Sequence, residues 1–108
     1  MDKENLMPIV LGATDGAFLR KFVSKYGAPV IILDTQCRLS LRLSPRFHFI
    51  KMTSQTDGIV TMYINDLLEG TERIPLLAAA DREYRELIER NFDALSSVCI
   101  LWNENFEF

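Results

Sequence analysis

The chain has 108 residues, 48% hydrophobic and 25% charged, the composition of one globular domain rather than a disordered segment. Its net charge of -3 argues against a nucleic-acid binder, which normally carries a basic surplus. Leu76–Ala80 is apolar but far too short to cross a bilayer, the charged start Met1–Asn5 leads into no secretion signal, and the distant Cys37 and Cys99 suit free thiols, so the expected location is cytoplasmic, with no membrane partner.

Residues 1–7 read as a leader. A first strand is predicted over Pro8–Leu11, with Pro8 at its start, where a missing donor does least harm. Gly12 ends it, a polar turn follows through Gly16, and a helix runs from Asp15 to Tyr26. Phe18, Phe22 and Tyr26 repeat every fourth residue there, beside Leu19 and Val23. Gly27 is placed to cap that helix and Pro29 prevents its continuation. Val30–Leu33, closed by Asp34, is an uninterrupted run with β-branched residues, as expected of a strand covered on both faces. Cys37–Pro45 reads as a loop with a short strand or one helical turn. Phe47–Met52 is the third strand, Gly58–Glu69 the second helix, and Ile74–Ala79 the fourth strand. A third helix is expected from Asp81 to Leu95, and Val98–Trp102 is the fifth strand. Residues 103–108 form a tail.

Apolar strands alternating with amphipathic helices predict an α/β fold. The expected form is an open, mostly parallel five-stranded sheet with helices on both faces, Rossmann-like, in strand order 3-2-1-4-5. In such sheets ligands bind at the carboxyl ends of the strands, so the turn after the first strand is the place to look.

Several chemistries fit poorly. A dinucleotide fingerprint wants glycine at positions 12, 14 and 17; the chain has Gly12, Thr14 and Ala17, of which the first matches and the third is a tolerated change. Asp34 stands where a ribose-binding acid would stand, yet a plain glycine-containing turn is the simpler reading. No Gly-Lys-Ser/Thr makes a Walker loop. A phospho-receiver domain would need an Asp after strand three, where Lys51–Thr53 stand. His48, between Phe47 and Phe49, is a structural or surface imidazole before it is a base. No His/Cys set has metal-ligand spacing. Asp81 reads as a helix N-cap that can also line a ligand crevice. Arg38, Arg42 and Arg46 share one face in either helix or strand. They suit a solvated face, a bound phosphate or carboxylate, or a contact with another domain.

Three stretches carry a family resemblance: Pro8–Asp15, Val30–Asp34, and the strand, acidic turn and helix of Leu76–Glu89. With the apolar finish through Leu101, they resemble the N-terminal pre-ATP-grasp domain of an ATP-grasp carboxylate–amine ligase of the carbamoyl-phosphate synthase-like kind. The resemblance covers residues 8–102. It implies that an ATP-grasp domain of the same polypeptide follows the tail, binds ATP and magnesium, and is needed for activity. It implies acyl-phosphate formation from a carboxylate, then attack by an amine, with no cofactor expected on this chain itself. By the same resemblance Gly12, Asp15, Asp34 and Asp81 are the substrate-side candidates, and Arg38, Arg42 and Arg46 an anion or interdomain contact. Trp102, Phe106 and Phe108 would then mark an edge that docks the missing domain. A small stand-alone nucleotide-binding or interaction module is the other expectation, and a second copy of the chain a further candidate partner.

Overall fold

The computed structural model describes residues 5–27, 29–36, 39–54, 56 and 58–102. Five strands form one all-parallel sheet: β1 (Leu6–Leu11), β2 (Val30–Asp34), β3 (Phe47–Lys51), β4 (Ile74–Ala79) and β5 (Ile100–Leu101). Their order is β3-β2-β1-β4-β5, as the alternation of elements predicts. The helices are α1 (Gly16–Tyr26), the single turn α2 (Leu39–Arg42), α3 (Ile59–Leu68), α4 (Arg82–Arg90) and α5 (Phe92–Ser96). Among the described residues no helix is long and apolar enough to cross a membrane.

β1 is the central strand and all six of its residues are buried. Because side chains alternate along a strand, it feeds two cores. Met7, Ile9 and Leu11 join Val60 and Ile64 of α3 and Tyr84 and Leu87 of α4 on one face. Leu6 and Val10 join Leu19, Phe22 and Val23 of α1 on the other. The apolar stripe of α1 is the one its four-residue spacing predicts. Gly27 closes that helix at φ 89°, its N–H donating to Val23 O at 2.8 Å.

β1 begins at Leu6, earlier than the expected Pro8, and Pro8 lies inside the strand. The ladder explains why this costs nothing. Gly12 N–H donates to Leu33 O, so even-numbered β1 residues face β2. The β1–β2 ladder starts only at Ile9↔Ile31, so the donor that Pro8 lacks falls before it. Pro75 repeats the arrangement on β4. Ala80 N–H donates to Leu11 O, which turns odd residues toward β5, and that ladder starts at Leu76↔Ile100.

The single helix expected over Asp81–Leu95 is two. Asn91 leaves the helical path at φ -113°, ψ 26°. Its N–H still closes α4, donating to Leu87 O at 3.1 Å and Ile88 O at 3.2 Å, its side-chain amide shares Leu87 O at 2.9 Å, and Leu95 N–H on Asn91 O starts α5. β5 is likewise shorter than Val98–Trp102, because Val98 and Cys99 donate their N–H groups back to Leu95 O. Trp102 is half-buried against Phe18 and Phe22 of α1. Phe106 and Phe108 lie outside the described residues.

Candidate functional site

From β1 the chain runs outward through β2 to β3, then crosses back to β4 on the other side. The crevice beyond the carboxyl ends of β1 and β4 is therefore the topological switch point. Gly12 opens it. The residue holds φ 93°, a conformation that favours glycine. A methyl group there would stand 2.4 Å from Asp81 Oδ2 and 2.6 Å from its Cγ. The carboxylate of Asp81 is thus packed directly over the Gly12 backbone.

The N-cap expectation for Asp81 holds for its position and not for its side chain. The residue does occupy the N-cap position of α4, with extended φ -111°, ψ 147°, but its side chain makes no capping bond. Instead Oδ1 accepts from the Thr14 hydroxyl and from Thr14 N–H at 3.3 Å. Capping is done at the other helix, where Asp15 Oδ1 accepts from Phe18 N–H at 3.0 Å. Asp81 and Asp15 thereby engage the Thr14 and Phe18 N–H groups at the entry to α1 and set negative charge beside it.

Asp34, at the end of β2, is only 5% exposed. A buried carboxylate needs donors, and its Oδ1 has three: Thr35 N–H at 2.7 Å, Gln36 N–H at 3.4 Å and the Tyr84 hydroxyl at 3.1 Å. Tyr84 is itself 1% exposed. α4 is thus pinned to β2 by Tyr84–Asp34 and to the β1–α1 turn by Asp81–Thr14. Sequence reasoning missed Thr14 and Tyr84. Thr14 drew attention only as a failed glycine, and Tyr84 only as part of a buried face. The signal available was that a buried Tyr hydroxyl seeks a partner.

The result is a cleft of ≈ 370 Å³ lined by Thr14, Asp34, Gln36, Asp81, Arg82 and Glu83. Three of these residues are acids. The one cation, Arg82, is drawn outward to Glu86 at 3.4 Å. Of the four residues expected on the substrate side, the structure brings Gly12, Asp34 and Asp81 to this place, while Asp15 stands beside it as a helix cap. Arg46 does not join them. It is exposed before β3, with its N–H on Ser44 Oγ; Arg38 and the Arg42 side chain lie outside the described residues. Among the described residues no group of three or more His, Cys, Asp or Glu is arranged to hold a metal ion. What the cleft offers is a set of hydrogen-bond acceptors in a negative field, suited to a ligand that brings N–H or O–H donors or positive charge. No protein-family model, curated protein or solved structure matches the chain.

Proposed function

We propose that this chain is the substrate-side domain of an ATP-dependent carboxylate–amine ligase, and that its acidic cleft takes the amine substrate. The observation that carries the reading is the seat of Asp81 over Gly12, in a crevice at the switch point of a Rossmann-like sheet. A pyrophosphate approaching the first turn would meet that carboxylate and the cap formed by Asp15; an ammonium or amine would meet acceptors. In such a ligase ATP phosphorylates the carboxylate, the amine nitrogen attacks the acyl carbon, phosphate leaves, and the nitrogen loses its proton. The part of this chain is to hold the amine. ATP and magnesium belong to an ATP-grasp domain of the same polypeptide.

A stand-alone nucleotide-binding module is the second reading, favoured by Asp34 at the end of β2, where a ribose-binding acid stands in dinucleotide folds. Asp34 is weak support, because burial and three donors already engage it. The test is thermal unfolding of the chain with primary amines (glycinamide and putrescine), with ADP and with NAD, at matched ionic strength. A rise with an amine that is diminished in Asp81→Asn supports the proposal. A rise with ADP or NAD and none with either amine moves the chain to the second reading.

A further inference from the structure

A second hollow, of ≈ 450 Å³, lies at the same carboxyl edge, between the start of α1, the outer part of α4 and the end of β5. This volume is within the range of small-molecule sites, roughly 300–1,000 Å³. Its wall is aromatic and held in place from behind. Phe18 meets Trp102 edge to face, with ring centroids 5.2 Å apart at 86°. Phe18 also stacks on Phe22 at 5.6 Å, and Phe22 is wholly buried. Ile88, Leu101 and Phe92 complete the apolar lining; Phe92, at the start of α5, is 56% exposed on the rim.

One cation stands at the mouth. Arg85 lines the hollow, is exposed, and makes no ion pair among the described residues, whereas Arg82, one turn earlier, is held by Glu86. Glu89, one turn later, lines the same rim. An aromatic slot with a guanidinium fork at its mouth matches a flat ring carrying a planar, singly charged oxyanion. We propose that this hollow binds a small aromatic carboxylate, its ring against Phe18 and Trp102 and its carboxylate on Arg85. The inference stands apart from the ligase reading, because it involves neither ATP nor the acidic cleft.

Trp102 is the sole tryptophan of the chain, so its emission reports on this hollow directly. The 108-residue chain is titrated with 3-phenylpropionate, 3-phenylpropan-1-ol and 2-phenylethylamine, following tryptophan fluorescence. The acid is expected to give a saturable change, and the alcohol to bind about tenfold more weakly, the value of one charge-assisted hydrogen bond. The amine, which lacks the partner for Arg85, is expected to bind no better than the alcohol. Arg85→Met keeps the apolar stem at an exposed position and should lower the affinity for the acid to that for the alcohol. Glu89→Gln should strengthen binding of the acid. Equal binding of acid and alcohol, an amine that binds as well as the acid, an unchanged Arg85→Met variant, or no saturable change with any probe overturns the proposal. The comparison of acid with alcohol on the unaltered chain keeps the test decisive whatever the variants do.

Discussion

Replacing Gly12 by alanine probes the link between the first turn and α4. Two costs are expected. The first is local: a side chain at φ 93° is strained by about 1–3 kcal/mol. The second is steric. The new methyl group would lie 2.4 Å from Asp81 Oδ2, so the carboxylate must swing away. It then loses its two bonds from Thr14, each worth about 0.5–1.5 kcal/mol at this partly exposed position. The sum is about 2–6 kcal/mol, a large part of the roughly 5–15 kcal/mol that holds a domain together. In an Asp81→Ala background the carboxylate is gone and only the local strain remains, with a closer contact to the Tyr84 ring at 3.1 Å. Gly12→Ala should therefore cost about 1–3 kcal/mol less in that background than in the unaltered chain. Urea denaturation of the four proteins measures this, with the slope checked for constancy. If the two single changes add within about 0.5 kcal/mol, Asp81 does not occupy the turn and the site has been misread.

Tyr84→Phe keeps the ring and removes only the donor to the buried Asp34; a loss of about 1.5–3 kcal/mol is expected in the same assay, and a loss near zero would mean the bond does not hold Asp34. Burial pushes the Cys99 thiol from its ordinary value up to about 11, so in a Cys37→Ser background it should react with a disulfide reagent near pH 8 far more slowly when folded than in urea. The same shift sets a pH dependence. The unfolded thiol ionises first, so the contribution of Cys99 is intact below about pH 9 and is lost as pH rises toward 11. Cys99→Ala should flatten that part of the profile; native labelling as fast as in urea contradicts the burial.

The parallel sheet was legible because burial on both faces leaves a strong local mark. Val30–Leu33 and Leu76–Ala80 are continuous apolar runs, and the helices between them repeat every three or four residues. What was not legible depends on partners far away in the chain. Pro8 looked like a strand start because proline removes a donor; that its nitrogen faces the stretch before β2 begins is a property of the register. The break at Asn91 is the departure of one residue from helical φ and ψ, which composition cannot distinguish from an asparagine inside a helix. Asp81 was read as a cap because caps are local and common. Its true partner, Thr14, is 67 residues away. Tyr84 and Asp34, 50 residues apart, meet only because β2 and β4 flank the same strand.

The two hollows at the carboxyl edge owe their opposite character to the same two helices. The start of α4 gives Arg82 and Glu83 to the acidic cleft, and one turn further on it gives Arg85, Ile88 and Glu89 to the aromatic one. α1 divides in the same way, with Thr14 in the turn before it on the polar side and Phe18 in its first turn on the apolar side. A helical step of three residues returns to nearly the same face and advances about 4.5 Å along the axis, which is enough to pass from one pocket to the next without moving the backbone. The sign of each site then follows from pairing. Arg82 is drawn to Glu86, which leaves the acids Asp34, Asp81 and Glu83 to set the field of the cleft. Arg85 has no such pair among the described residues, so its guanidinium charge stands at the aromatic mouth. One sheet edge thereby presents acceptors for a donor-bearing ligand beside a slot for an aromatic anion, and a loss of binding at either leaves the argument for the other where it stands.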